Sequence, residues 1–196
     1  VLYSCSRMPN LVGKRVVVLG QGPIGLCFTQ LLMQMGAREI IVTDLEEYRL
    51  DVARSFGPIA AINASRVDPV EAVHELTNGE GADVVVEAAG EEVTVNQAIH
   101  VARFQGTVMF FGLTYRRTFP VNFLDYWDKQ LTCIATSASR SGNIKWAVER
   151  SIDLFQQGRL DLARLVTHRM PFESAQDAFT LYDERRDGVV KVVIEI

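Results

Sequence analysis

Residues Gly20-Gln21-Gly22-Pro23-Ile24-Gly25 set three glycines at the spacing Gly-x-Gly-x-x-Gly, between an apolar run at 16–19 and a stretch of helical period opening near Pro23. This setting constrains the fold more than any other feature. A strand that turns directly into a helix on glycines is the first half of a βαβ unit, and the spacing alone would carry much less weight. Each glycine has a mechanical reason: Gly20 permits the tight turn, Gly22 lets a pyrophosphate approach the backbone, and Gly25 lets helix and strand pack closely. Pro23 suits the first helical position, where its missing N–H costs nothing. The free amides and the positive end of the helix dipole then face the phosphates of a dinucleotide.

The runs 16–19, 39–43, 60–62, 83–87, 107–111 and 132–135 read as six strands. Between them, apolar residues recur at helical intervals: Ile24, Phe28, Leu31 and Met35, then Tyr48, Val52 and Phe56, and later Ile144, Val148, Ile152 and Phe155. Short β-branched runs alternating with amphipathic helices give a parallel sheet covered on both faces. The fold class is therefore α/β, a doubly wound Rossmann arrangement with a six-stranded, mainly parallel sheet. Gly36, Gly57 and Gly158 each follow a helical stretch where a left-handed cap is wanted, and Pro69 after Asp68 opens another helix. After Gly158 the pattern changes to a strand at 165–170, a helix opened by 171–174 and a last strand at 189–194. This tail does not read as another crossover unit. The division is 1–158 as a nucleotide-binding domain and 159–196 as a C-terminal segment.

The second strand delivers Asp44 about twenty residues after the turn, where a carboxylate accepts hydrogen bonds from the ribose hydroxyls of NAD and repels a 2′-phosphate. Asp44 therefore argues for NAD over NADP, and Arg49, one turn into the next helix, softens that preference. The plain alternatives are that the glycines only make a tight connection and that Asp44 only caps a helix starting at Leu45. A methyltransferase also puts glycines after its first strand and an acid after its second; the third glycine and the later strand pattern count against it.

At 196 residues and 48% hydrophobic content the chain can bury a sizeable core. Its net charge of −4 is spread along the sequence, so no nucleic-acid footprint forms. The apolar runs are too short to span a bilayer, and a soluble, cytoplasmic protein is expected. Cys5, Cys27 and Cys133 have no spacing that suggests a disulfide framework or a zinc knuckle.

Several segments in order resemble the zinc-dependent medium-chain dehydrogenases, the alcohol, polyol and threonine dehydrogenase family. They are 14–25 (KRVVVLGQGPIG), 81–90 (GADVVVEAAG), 106–112 (GTVMFFG), 166–172 (VTHRMPF) and the ending 191–194 (KVVI). The resemblance covers essentially the whole chain. It implies that Ile24 packs against the nicotinamide ring and that Asp44 holds the adenosine ribose, with Arg49 near it. Ala89 and Gly90 would line the adenine side. Phe111, Gly112 and Leu113, at the end of the fifth strand, would offer backbone groups to the nicotinamide end, as would Thr136 after the sixth, and Lys191 would reach the pyrophosphate.

Family members begin with a GroES-like catalytic domain that carries the ligands of a catalytic zinc, and nothing in this sequence corresponds to it. Cys5 is not one of those ligands. The tail resembles the piece that returns to complete that domain. The resemblance thus implies the coenzyme-binding part of an NAD-dependent, zinc-dependent alcohol or polyol dehydrogenase, unable to turn over alcohol unaided. A stand-alone NAD-binding module without catalysis is the alternative. Family coenzyme domains pair edge to edge near the last strand, which makes 119–123 the candidate contact of a homodimer.

Other conspicuous residues have plainer readings. His168 lacks a second ligand nearby, and His74 and His100 read as solvated surface groups. Glu87, ending a buried strand, reads as a structural hydrogen-bonding acid. Phe110, Phe111, Tyr115, Phe119, Phe123, Tyr126 and Trp127 serve core packing or an interface. The pairs Arg116-Arg117 and Arg185-Arg186 read as solvated surface, with phosphate steering the lesser reading.

Overall fold

In a computed structural model that describes residues 1–114, 116–137 and 144–196, six strands form one sheet in the order β3-β2-β1-β4-β5-β6. The strands are β1 Arg15–Leu19, β2 Glu39–Asp44, β3 Ala60–Asn63, β4 Ala82–Glu87, β5 Ala102–Phe110 and β6 Thr132–Ala135; helix α1 (Leu2–Cys5) precedes β1, α6 (Phe123–Asp128) precedes β6 and α7 (Lys145–Gln156) follows it. Every pairing is parallel. Strand order reverses between β1 and β4, the switch point at which open α/β sheets hold their ligands.

Alternate residues of each strand feed opposite faces. Val16, Val18, Ile40, Val42, Val84 and Val86 pack with Phe28, Leu31 and Leu32 of α2 (Pro23–Gln34) and Leu50 of α3 (Glu47–Arg54). Val17, Leu19, Ile41 and Val85 pack instead with Val73 of α4 (Pro69–Leu76) and with Ala98 and Ile99 of α5 (Glu92–Val101). Side chains that alternate along a strand and are buried on both sides require a sheet sandwiched between helices. Asp68 caps α4, accepting from the amides of Val70 and Glu71, and Gly36, Gly57 and Gly158 all have positive φ.

Several boundaries differ from the sequence expectation for identifiable reasons. The chain enters β5 at Ala102, directly from α5, and not at 107. A register shift between Ala82 and Val84, with Gln105 in the left-handed region, hides this first stretch from a periodicity reading. Helix α3 begins at Glu47, because Asp44 turns back to accept the Glu46 amide.

His74 and His100 are half-buried partners, not free surface groups. His74 Nε2 lies 3.2 Å from the His100 carbonyl, and His100 Nδ1 lies 3.0 Å from Asp125. The same helix end is closed by Lys129, whose Nζ donates to the carbonyls of Ile99, His100 and Ala102 at 3.1, 2.5 and 2.9 Å.

The tail is a crossover unit after all. β7 (Val166–Pro171), α8 (Ala175–Asp183) and β8 (Lys191–Glu195) form a separate two-stranded parallel sheet connected through the helix. It is tied to the main domain through Leu160, Leu165 and Val190, which enter the same core as Phe28. His168 sits on β7, 2.9 Å from Thr167 Oγ1. Tyr115 lies outside the described residues. Among the described residues no helix is long and apolar enough to cross a membrane.

Candidate functional site

The crevice at the switch point opens outside the carboxyl ends of β1, β2 and β4. Gly20, Gly22, Pro23, Ile24, Asp44, Arg49 and Ala89 line it together. Gly20 has φ +92, and a side chain there would press on Ala89 at 3.2 Å. A Cβ at Gly25 would overlap the Gly20 carbonyl oxygen. The turn and the first helical turn can therefore touch only if residue 25 is glycine. Gly22 differs: its backbone is extended, and the nearest atom to an added Cβ is Arg49 Nη1 at 3.9 Å. The space above Gly22 is open, and it faces the amides of α2, which starts on Pro23.

Gln21 locks this turn from below. Its side chain is fully buried, donates to the Gly20 carbonyl at 3.0 Å and accepts from Thr29 Oγ1 at 2.9 Å. Its own amide donates to Asp44 Oδ2 at 2.6 Å. Asp44 Oδ1 takes the Glu46 amide at 2.9 Å, and Arg49 Nη1 lies 3.9 Å from Oδ2. Asp44 is only 8% exposed, so its charge is compensated by two backbone donors and one guanidinium, and each oxygen keeps acceptor capacity. Tyr48 packs under the Arg49 guanidinium, 5.7 Å from ring centroid to Cζ. Burial pushes its phenol above the ordinary value, against the opposing pull of Arg49.

The remaining residues singled out in the sequence divide. Gly90 and Gly112 line an adjacent apolar cavity with Phe110 and Phe119. The two glycines face each other: a Cβ at Gly112 would overlap the Gly90 amide, and one at Gly90 would lie 2.5 Å from the Leu113 carbonyl oxygen. Phe111 is partly buried and packs against the core, edge-on to Phe28 with ring centroids 5.1 Å apart. Leu113 is 76% exposed. The Thr136 hydroxyl bonds Ser4 Oγ at 2.6 Å.

Glu87 is buried and structural: Oε1 accepts from the amides of Ala89 and Gly90 and from Thr94 Oγ1. It holds the β4–α5 turn much as Asp44 holds the first one.

The sequence reading does not place the second wall of the crevice, although it names Arg185 as a basic surface residue. Glu91, Thr94 and Gln97 come from the start of α5, and Tyr182 and Arg185 from the tail. The α5 wall had a signal, since Glu91 and Thr94 make a capping box one strand further on. In the tail the signal is the pair Arg185-Arg186, read first as solvated surface with phosphate steering second, and its approach to the crevice depends on remote packing. Lys191 lies outside the crevice, on β8 beside Phe179.

Among the described residues no three histidine, cysteine, aspartate or glutamate side chains converge to hold a metal ion, so these residues do not fit a zinc site. Burial pushes the Cys5 thiol up to about 12, which leaves it a protonated core residue.

Residues 23–153 match the family model described as zinc-binding dehydrogenase. An alcohol dehydrogenase of Cupriavidus necator is 34% identical over 187 residues, which cover 94% of this chain and 50% of that protein. The alcohol dehydrogenase TADH from Thermus sp. ATN1 superposes with a TM-score of 0.88 at 31% identity, over 100% of this chain and 55% of its own. A Sinorhizobium meliloti 1021 protein described as a zinc-binding dehydrogenase and bound to NADP gives 0.87 at 26% identity, over 100% of this chain and 56% of its own. The chain spans about half the length of the curated relatives it matches.

Proposed function

The chain belongs to the zinc-binding dehydrogenase family, and we propose from that premise that it is the coenzyme-binding part of an NAD-dependent alcohol or polyol dehydrogenase. The observation that carries the coenzyme reading is the buried Asp44 carboxylate, fixed at the end of β2 beside an open glycine turn. In this reading the amides above Gly22 take the pyrophosphate, Asp44 takes the adenosine ribose hydroxyls, and Arg49 sits beside the same ribose. Ile24, 40% exposed at the crevice mouth, gives the nicotinamide ring an apolar wall. Phe111, Gly112, Leu113 and Thr136 offer backbone groups at the carboxyl ends of β5 and β6, and Ala89 and Gly90 border the adenine side.

The bound coenzyme would supply the hydride acceptor. This chain's residues orient it and select between NAD and NADP. The group that polarises an alcohol is assigned to the half of the relatives' length that this chain does not span, and 159–196 to completing that catalytic domain. Exposed Phe172 and Phe179 on the tail support the second assignment. The 196-residue chain is therefore expected to bind NAD without reducing it.

Titration with NAD and NADP, beside an Asp44→Ala variant, tests this reading. Tighter binding of NAD and a loss of at least about tenfold in the variant are expected, from hydrogen bonds to a charged acceptor. Unchanged affinity would sink the ribose assignment, and alcohol-dependent NADH formation by the chain with added zinc would sink the division of labour.

A further inference from the structure

We infer that Arg185, on the tail, is a phosphate-contacting residue of the dinucleotide crevice; the inference rests on the coenzyme reading above. Arg185 lines the crevice together with Gly20, Gly22 and Asp44 although it comes from the turn after α8. That turn is held in place. Arg186 N donates to the Leu181 carbonyl at 3.2 Å and Val189 N to the Arg186 carbonyl at 3.0 Å, while Val189 and Val190 are fully buried.

The backbone at Arg185 has φ +53, the left-handed position that closes α8, with the Arg185 amide returning to the Tyr182 carbonyl at 3.3 Å. Two residues further on, Asp187 and Gly188 are also left-handed, at +52 and +68. Gly188 brings the turn against Tyr48, with an added Cβ only 3.7 Å from the ring, and Tyr48 backs Arg49. The tail thus delivers its cation to the corner where the glycine turn, Asp44 and Arg49 meet.

Charge accounting points to an anion. Arg49 faces Asp44, and the neighbouring Arg186 is spent on Glu184 at 2.6 Å. Among the described residues Arg185 has no carboxylate within ion-pairing distance. The exposed guanidinium of Arg185 is free to bond phosphate oxygens, a geometry that suits its planar fork. Lys191, which the family resemblance implies for this role, stands on β8 on the far side of Tyr182, which lines both hollows. The phosphate is either the pyrophosphate common to NAD and NADP or the 2′-phosphate of NADP alone.

The test is fluorescence titration of the whole chain with NADH and NADPH, at about 0.05 M and 0.5 M salt, for wild type, Arg185→Gln and Lys191→Gln. Arg185→Gly, which also relieves the left-handed backbone, guards against a folding effect. Both Arg185 variants are expected to bind about three- to tenfold more weakly at low salt, with the difference shrinking at high salt. Lys191→Gln stays within about twofold of wild type on the same scale. Equal losses for both coenzymes assign the pyrophosphate, and a loss confined to NADPH assigns the 2′-phosphate. Arg185 variants that bind like wild type, or a loss that falls on Lys191→Gln, overturn the proposal while leaving the coenzyme reading intact. A wild-type chain that binds neither coenzyme overturns both.

Discussion

The Gln21 amide donates to the buried Asp44 carboxylate at 2.6 Å, so the residue proposed to hold the ribose also fixes the glycine turn. Fold and site are built from one bond here. Removing the carboxylate strands two backbone donors, those of Gln21 and Glu46. Asp44→Ala is therefore expected to lower unfolding free energy by about 1–3 kcal/mol, apart from any effect on coenzyme. Urea denaturation followed by circular dichroism measures it. A variant as stable as wild type would show that the bonds contribute little net energy.

The glycines of the turn are predicted to separate stability from binding. Gly25→Ala drives its Cβ into the Gly20 carbonyl and is expected to destabilise the domain by more than about 2 kcal/mol. Gly22→Ala meets only Arg49, 3.9 Å away, and has no positive φ to strain. It should keep the wild-type melting temperature within a few degrees, about 1 kcal/mol or less, and lose NAD affinity, because its methyl occupies the space above the amides. Comparable melting losses in the two variants would contradict the distinction.

Asp83 gives a pH dependence. Burial pushes its carboxyl up, but the Arg15 amide and the Arg103 and Lys14 side chains outweigh that and leave it below the usual carboxylate value. The folded pKa is the lower one, so the stabilisation is complete above the unfolded value of about 3.9 and is lost as pH falls through the folded value. Asp83→Asn should be less stable than wild type at neutral pH, and the gap should close in acid. A gap that stays constant down to about pH 3 would rule out ionisation of Asp83 as its source.

The sheet was legible because its strands are buried on both faces, which writes them as unbroken runs such as Val16 to Leu19 and Val84 to Val86. The glycine turn and Asp44 were legible because their requirements are local. What escaped depends on distant partners. The parallel pairing of β7 with β8 joins two half-exposed strands whose alternation gives no hint of a mate, and Arg185 reaches the crevice only because Val189 and Val190 seat the tail in the main core. The resemblance assigns Gly90 to the adenine side and Gly112 to the nicotinamide end, and nothing in the sequence shows that their backbones meet across the ends of β4 and β5. Lys129 carries no motif that would announce three carbonyl partners.

That lysine is predicted to matter for stability alone. Its Nζ closes the carboxyl end of α5, where carbonyls lack intrahelical partners. Lys129→Met keeps the aliphatic stem and removes the donors. The expected cost is about 1–3 kcal/mol, with coenzyme affinity unchanged because none of these groups lines the crevice. Denaturant titration and NADH binding on the same variant check both halves. A weakened affinity at full folding would mean that the α5 end communicates with its start at Glu91.

The last prediction concerns the β6 end of the sheet. Among the described residues β6 pairs with β5 alone, and on the helix that precedes it Phe123, Leu124 and Trp127 are 66%, 64% and 65% exposed. An unpaired strand flanked by large apolar side chains is a surface that proteins cover or blunt. A second copy of this chain meeting it across a two-fold axis would continue the sheet and bury the aromatics of both copies. A dimer is therefore expected by light scattering at micromolar concentration, and Phe123→Lys combined with Trp127→Glu should convert it to monomer without unfolding it. A wild-type chain that stays monomeric at high concentration would remove both 119–123 and the β6 edge with Leu124 and Trp127 as a self-association surface.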